Sequence, residues 1–354
     1  MVKTTSMLPI RDCVFQTPGY TPGEQPQTND YIKLNTNENP YPPPPEIFQD
    51  IQAELSKVRL YPDPVSTQLR QAAAKIFNVS SEQILAGNGS DDILNIALRT
   101  FVNPGETVAF LDLTYSLYET LTRVHGANLV TFPTNEHFQL DRPLICPEAK
   151  LIFLASPNPP VGQHLRRESL EETCEKATGI VLIDEAYVDF SPYNHLDFLT
   201  KYENVIISRT MSKSYSLAGM RVGFGIASRA IIEQMDKVRD SYNLDRIAQA
   251  LATAALNSHP YFEQIWEKVC QTRERLMVSL KDLDFLGFDS DSNFVLASPQ
   301  WISAADLYHQ LKERKILVRY FNHPRITNYV RISIGTDEEI DRLLEAIKKI
   351  KYGG

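Results

Sequence analysis

The chain is expected to fold as an α/β protein, with a mostly parallel central sheet carrying helices on both faces and a smaller α/β unit after it. Three observations predict this. Seven short apolar runs, rich in Ile, Val, Leu and Phe, recur between residues 84 and 226. Helical patterns separate many of them, and a second alternation begins near residue 292. Short apolar runs alternating with helices indicate parallel strands, because a parallel pair needs a long crossover and buries both faces of its strands.

Taken in order, residues 1–34 read as an irregular arm, with GYTPGEQP (19–26) rich in turn formers. The tract NPYPPPP (39–45) must be extended, since each proline fixes its own φ and restrains the residue before it. Helical periodicity follows at 46–56, YPDP (61–64) breaks it, and 66–77 is expected to be a helix with Ser66 as its N-cap. Strands are expected at 84–86, 107–111, 128–132, 151–155, 180–183, 205–208 and 222–226, with helices at 92–101, 116–124 and 168–177. A long helical region from 231 to about 284 either links two domains or holds them together. In the tail, SNFVLAS, ILVRYF and YVRISIG alternate with helices at 304–314 and 337–349. The expected organisation is an arm (1–34) packing near the small domain, a large domain (35–260) and a small C-terminal α/β domain (261–354).

At 354 residues, 43% hydrophobic and 23% charged, the chain is long enough for a large core or two domains. A formal charge of −8 argues against wholesale binding to nucleic acid or an anionic membrane, and leaves room for a small basic pocket that holds an anionic metabolite. The four cysteines (Cys13, Cys146, Cys174, Cys270) are scattered without a CxxC, so free thiols in a reducing cytoplasm are expected. The seven histidines show no i, i+4 pair, and no metal site is expected. No apolar run approaches the ~18 residues of a membrane span, and the first residues lack the apolar core of a secretory signal.

Open α/β sheets bind ligands at the carboxyl edges of their strands. Four expected strand ends carry unusual residues: AGNGSDD, SPNPPVG, DEAYVDF and SRTMSK. In GNGSDD the glycines admit close backbone approach and Ser90 opens a helix whose free N–H groups suit a phosphate. Asp91 and Asp92 suit the helix dipole, with side chains free to point away from an anion. The same residues also fit a tight turn with a serine cap, and the missing third glycine weakens a dinucleotide reading. Asp184 closes an apolar run, so its carboxylate needs a partner: a structural cation or a cationic ring nitrogen. Lys213, in SRTMSKSYSLAGMRVGF, sits among hydroxyls with Arg209 and Arg221 nearby. Desolvation or neighbouring cations would turn its amine into a nucleophile toward carbonyls. Thr210, Ser212 and the fork of Arg221 suit an anion.

Taken together, these motifs resemble the fold-type I pyridoxal-phosphate aminotransferases, and within them the histidinol-phosphate aminotransferase family. The resemblance spans nearly the whole chain, through GYTPGEQP, LNTNENP, RLYPDP, AGNGSDDIL, LDLTYSLY, SPNPPVGQ, LIDEAYVDF, SRTMSKSYSLAGMRVGF and VRISIGT. It implies pyridoxal 5'-phosphate as cofactor and transamination of L-histidinol phosphate with 2-oxoglutarate, giving imidazole acetol phosphate and L-glutamate in histidine biosynthesis. It implies that Lys213 carries the cofactor covalently and moves protons, and that Asp184 pairs with the ring nitrogen. Asn158 and Tyr187 would bond the ring hydroxyl oxygen, and Tyr115 would stack on the ring. Ser90 and Asp91 (through backbone N–H), Thr210, Ser212 and Arg221 would hold its phosphate. Tyr61 would reach the phosphate of a neighbouring subunit in a homodimer. Arg331 and Arg319 would bind the anionic ends of substrates, with Tyr20 and Asn37 closing over them. One departure is Asn158-Pro159-Pro160-Val161-Gly162, where the family often has Asn-Pro-Thr-Gly, so a hydroxyl contact is lost at Val161. An aromatic aminotransferase or a threonine-phosphate decarboxylase on the same scaffold are the alternatives, as, in a different class, are a cofactor-binding module without turnover and a nicotinamide-type dinucleotide binder.

Overall fold

The computed structural model describes residues 8–28, 30–49 and 51–353. Its strands are β1 (Ile32–Leu34), β2 (Ile84–Asn88), β3 (Thr107–Leu111), β4 (Asn128–Phe132), β5 (Ala149–Ala155), β6 (Ile180–Asp184), β7 (Val205–Thr210), β8 (Val222–Ala227), β9 (Phe285–Gly287), β10 (Phe294–Pro299), β11 (Ile316–Tyr320) and β12 (Val330–Ser333). The seven strands expected between residues 84 and 226 pair in the order β2-β8-β7-β6-β5-β3-β4. Only β8 runs antiparallel to its neighbours, so the sheet is mostly parallel. Alternate residues of each strand feed two cores. Ile183 and Ile207 pack on one face with the helices Thr67–Phe77 and Arg246–Asn257. Leu182 and Ile206 pack on the other with the helix Ser90–Phe101. This two-sided burial is why the strands read as continuous apolar runs.

The second sheet, β1-β11-β12-β10-β9, is antiparallel except for β1, which runs parallel to β11. The helices His259–Asp282, Ala304–Glu313 and Asp337–Tyr352 supply its core through Val269, Leu276, Leu307, Leu311 and Leu343. Residues 32–34 of the supposedly irregular arm are strand β1, with Ile32 opposite Ile316 and Leu34 opposite Val318. Farther back, the arm forms a short helix, Asp12–Phe15, beside the helix Leu117–His125. There Arg11 Nη2 donates to the His125 carbonyl at 3.2 Å. The arm thus runs from the second sheet to the helix Leu117–His125, which packs on β4 of the first. Among the described residues, no helix is long and apolar enough to cross a membrane.

Three local expectations are corrected. The periodic stretch 46–56 is a 3-10 turn, Pro45–Phe48, and a separate short helix, Ile51–Leu55. The region 231–284 is three helices, Arg229–Val238, Arg246–Asn257 and His259–Asp282. Asp245 caps the second by accepting from Ala248 N at 2.8 Å, and Pro260 opens the third where its missing N–H costs nothing. Ser66 precedes the helix Thr67–Phe77 but is left-handed (φ 52°) and its hydroxyl caps nothing. Asp63 does that work, its carboxylate accepting from Val65 N at 3.0 Å and Thr67 N at 2.7 Å. A full negative charge suits the helix start better than a hydroxyl.

Asp63→Ala is therefore expected to destabilise the chain by about 1 kcal/mol. Ser66→Gly, at a position where glycine is unstrained, should be neutral or stabilising. Thermal melts of the two variants beside the parent check the contrast.

Candidate active site

The strand ends and the second sheet enclose a cavity of about 350 Å³. It gathers Asp184, Tyr187, Lys213, Ser90, Asp91, Tyr115, Thr210, Ser212, Arg221, Arg319, Arg331, Tyr20 and Asn37 onto one wall or another. The carboxyl ends of β2, β3, β6 and β7 carry Ser90, Asp91, Tyr115, Asp184, Tyr187, Thr210, Ser212 and Lys213; Arg221 comes from the start of β8, Arg319 and Arg331 from β11 and β12, and Tyr20 and Asn37 from the segments before and after β1.

Asp184 is the last residue of β6 and is 3% exposed. The Tyr118 hydroxyl donates to its Oδ2 at 2.8 Å, while Oδ1 is buried with no partner. Burial pushes its carboxyl up to about 7, against the opposing pull of the Tyr118 hydrogen bond. Tyr118 was not singled out in the sequence, although LDLTYSLY contains it. Its ring is wholly buried and stacked on Phe153 at 4.8 Å, and a buried tyrosine hydroxyl needs a partner.

Lys213 lies in the turn after β7, and its Nζ donates to the Thr36 carbonyl at 3.1 Å. Withdrawal from water pushes its ammonium down to about 8, with Arg331 next in effect and Glu38 opposing. The neighbouring cation is thus Arg331 from the second sheet, with a smaller effect from Arg221. Arg209 is not involved: it sits between Ser208 and Thr210 on β7, so strand alternation sends it to the opposite face, where it pairs with Glu185 at 2.7 Å.

The anion-type corner forms where β8 presses on the start of the helix Ser90–Phe101. A Cβ on Gly223 would lie 2.4 Å from Ser90 N, so only glycine permits this approach. Arg221 donates to Ser212 Oγ (3.2 Å) and to Asp91 Oδ2 (3.0 Å), and Thr210 Oγ1 donates to Ser212 Oγ (3.1 Å). Asp91 does not point away: its carboxylate takes Arg221 and accepts from the Tyr115 hydroxyl at 3.2 Å. Asp92 does turn aside, to Asn88 N (2.9 Å) and Asn243 Nδ2 (3.2 Å).

Across the cavity, Arg319 and Arg331 are direct partners in the β11–β12 ladder. Among the described residues neither has a carboxylate within ion-pair distance. Arg331 Nη2 donates only to the Asn35 carbonyl at 3.1 Å, and its Nε is buried without a partner. Arg319 reaches the Thr21 and Pro22 carbonyls at 3.3 Å each. Both guanidiniums lie 5.3 Å from the Phe321 ring, a wall residue missed in the sequence together with Thr36, His323 and Ile326. Asn37 is left-handed (φ 59°); Ser333 Oγ accepts from its N–H (2.9 Å) and donates to its Oδ1 (2.8 Å), and its Nδ2 donates to the Tyr187 hydroxyl at 3.1 Å. Tyr20 meets Tyr115 edge-on at 6.0 Å.

Two expected residues do not line this cavity. The Asn158 side chain braces the loop after β3, giving Nδ2 to the Leu113 carbonyl (2.9 Å) and taking the Thr114 hydroxyl (2.7 Å). Tyr61 is 77% exposed and stacks on Tyr242 at 4.4 Å. Val161, where the motif departs, is buried in an apolar cluster with Leu113, Phe138, Leu296 and Ile326.

A family model for aminotransferase class I and II matches residues 29–347. The histidinol-phosphate aminotransferase of Rippkaea orientalis (strain PCC 8801 / RF-1) is 77% identical over 98% of this chain and 99% of its own. The chain belongs to the histidinol-phosphate aminotransferase family. Among solved structures, the histidinol-phosphate aminotransferase from Sinorhizobium meliloti in complex with pyridoxal-5'-phosphate superposes with TM-score 0.80 at 26% identity, covering 90% of this chain and 91% of that one. The L-threonine-O-3-phosphate decarboxylase from Porphyromonas gingivalis matches with TM-score 0.79 at 20% identity, covering 90% and 99%. That second likeness is of fold alone. The architecture is the fold-type I aminotransferase fold expected from the sequence.

The displaced pKa values give the ligand-free chain a pH signature. A carboxyl raised in the folded state contributes stability that is full below its ordinary value of 3.8 and lost as pH rises through about 7. A lowered lysine contributes stability that is full above 10.5 and lost as pH falls through about 8. Asp184→Asn should therefore raise the melting temperature of the ligand-free chain at about pH 8, with the gain shrinking toward about pH 5. A gain that grows on acidification would contradict the burial argument.

Proposed function

We propose that the chain is a pyridoxal 5'-phosphate-dependent aminotransferase that exchanges the amino group between L-histidinol phosphate and 2-oxoglutarate, giving imidazole acetol phosphate and L-glutamate in histidine biosynthesis. One observation carries the reading: a lysine amine lowered to about 8 and a buried carboxylate with one unpartnered oxygen share a cavity with two arginines that, among the described residues, lack counter-charges. The donor set fits the cofactor, since Asp184 Oδ1 needs a cationic N–H and the corner at Ser90 offers N–H groups, two hydroxyls and a guanidinium to a phosphate. When bound, the cofactor supplies a reactive aldehyde and a cationic ring that withdraws electrons from the substrate's α-carbon.

In this reading, Lys213 would hold the cofactor through Nζ and would move the α-proton of the amino donor. An amine poised at about 8 has a useful neutral fraction near physiological pH. Asp184 Oδ1 would accept from the ring nitrogen and keep it protonated. Tyr187 would serve the ring hydroxyl oxygen, with Asn158 bracing the loop after β3 behind the wall, and Tyr115 would cover the ring. The backbone of Ser90 and Asp91, with Thr210, Ser212 and Arg221, holds the phosphate. Arg331 and Arg319 receive the phosphate of one substrate and the carboxylate of the other in turn, while Tyr20 and Asn37 close over them. Tyr61, exposed beside Leu60, Val58 and Val65, fits a surface covered by a second copy, with its hydroxyl directed to the neighbour's phosphate site. This homodimer would act in the cytoplasm, which the four free cysteines suit.

The purified enzyme loaded with cofactor should be yellow and should lose that absorbance on borohydride reduction. Side-by-side turnover with 2-oxoglutarate should favour histidinol phosphate over phenylalanine and threonine phosphate; a clear preference for phenylalanine overturns the substrate assignment. Lys213→Ala should keep the fold and abolish transamination. Arg331→Gln should raise KM for both substrates by about a hundred-fold, because a buried charge pair is lost in each complex.

A further inference from the structure

Behind the cavity, on the opposite face of the large sheet, lies a buried ionic cluster that the chemistry above does not use. Glu185 follows Asp184, so its side chain emerges on that other face, beside Arg209. Glu185 Oε1 accepts from His195 N (2.7 Å) and His195 Nδ1 (2.9 Å), and Oε2 accepts from Arg209 Nε (2.7 Å). Arg209 Nη1 donates to Asp189 Oδ1 at 3.1 Å, and Ser214 Oγ donates to Asp189 Oδ2 at 2.5 Å. Glu185 and His195 are 1% and 0% exposed. Burial alone would push the Glu185 carboxyl up, but Arg209 and His195 hold it below its ordinary value, so the pair is ionic.

Stability is a weak reason for such a cluster, since packed apolar side chains in place of a buried ion pair are often as stable or more so. Its two ends suggest another reason. One end is the peptide next to Asp184; the other is the peptide next to Lys213. The relay is also anchored from outside. The Ser214 carbonyl accepts from Trp266 Nε1 (2.8 Å) and Asn39 Nδ2 (3.2 Å). Asp189 lies in the 3-10 turn Val188–Phe190, whose Phe190 carbonyl is held by Arg273 Nη1 at 3.0 Å. A hydroxyl, a carboxylate, a guanidinium and a second carboxylate therefore join the loop that carries the amine to the strand end that carries the ring-facing carboxylate.

We propose that Ser214, Asp189, Arg209 and Glu185 form a positioning relay that sets Lys213 against Asp184. The proposal rests on the aminotransferase reading of the cavity. None of the four lines the cavity, so none is a catalytic residue. The relay acts by orientation, and misplacement of a reacting group by about 1 Å costs up to ~100-fold in rate.

Ser214→Ala is the decisive variant, because it removes one hydroxyl while Asp189 keeps Arg209, and Trp266, which donates to the carbonyl of residue 214, stays in place to report any displacement of the loop. In the cofactor-loaded enzyme, kcat for histidinol phosphate should fall about ten-fold or more. KM for both substrates should stay within about two-fold, because the arginine pair is untouched. The visible circular-dichroism band of the bound cofactor should change with kcat. Ser214→Thr, which keeps the hydroxyl, should restore both, and Arg209→Lys, which loses the fork, should not. In the ligand-free chain, Trp266 emission in a Trp301→Phe background should shift in Ser214→Ala, with no turnover needed. Parental kcat and dichroism in Ser214→Ala, whatever its melting temperature, overturn the relay, as does an equal loss in the Thr and Ala variants. If the parent neither turns over nor traps cofactor at Lys213, the aminotransferase reading falls instead, and the Trp266 shift still decides whether the relay holds the loop.

Discussion

A carboxylate buried at the end of a strand, with only one of its two oxygens satisfied, is the constraint around which the rest of the structure is arranged. A half-paired buried charge costs free energy, and the chain holds Asp184 there with no cation touching it. Tyr118 offsets part of that cost from the helix Leu117–His125. The cores on both faces of the sheet supply the remaining rigidity, since strands packed on both sides cannot shift to let the carboxylate reach water. A site that is costly when empty gains affinity for a ligand that brings the missing positive charge.

The same reasoning extends to the other charges on the cavity wall. Lys213 and Arg331 face one another across it, and each is pushed down from its ordinary value, chiefly by burial. Glu38 opposes the effect on Lys213 from a segment that reaches most of the chemical groups. Within residues 35–39, the Asn35 carbonyl accepts from Arg331, the Thr36 carbonyl accepts from Lys213, Asn37 Nδ2 donates to the Tyr187 hydroxyl, and Asn39 Nδ2 donates to the Ser214 carbonyl. The segment follows β1 directly, so the strand that closes the second sheet also sets the distance from that sheet to the amine. The left-handed backbone at Asn37, fixed by Ser333 and by Asn293 Nδ2 at 2.9 Å, gives it that shape.

Much of this was legible in the sequence, for identifiable reasons. Strands buried on both faces print as apolar runs, so β3 and β4 were bounded correctly and the other five strands of the large sheet to within a few residues, whereas the short strands β1 and β9 left no such run. Residues at strand ends could be singled out because charge or hydroxyl interrupts an apolar run, as at Asp184. What was not legible depends on contacts between distant parts of the chain. Thr36 binds Lys213 across 177 positions and Tyr118 binds Asp184 across 66, and neither spacing leaves a local trace. Arg209 could have been placed by strand alternation, since the intervening residues fix which face it takes. Asp63 could have been preferred to Ser66 as the cap, because a carboxylate four residues before a helix can reach its first N–H group. Residue 161 illustrates the opposite case: a departure from the motif is absorbed by apolar packing, and the cavity beside it is lined by Pro157, Pro159 and Pro160.

Fold alone does not decide the reaction here, because a decarboxylase and an aminotransferase superpose on the chain almost equally well. The discriminating features must lie in how the anionic ends of substrates are held. Two guanidiniums side by side, both over one aromatic ring and neither neutralised by a carboxylate among the described residues, form a receptor for planar or tetrahedral oxyanions without strong preference between them. That indifference suits an enzyme that must bind a phosphate monoester in one half of its cycle and a dicarboxylate in the other. A site built for one substrate could position a single cation for a single geometry. Selection between substrates then falls to the other groups of the wall, Tyr20, Phe321, His323 and Ile326 among them, and the pairing of Arg319 with Arg331 sets only that an anion is bound.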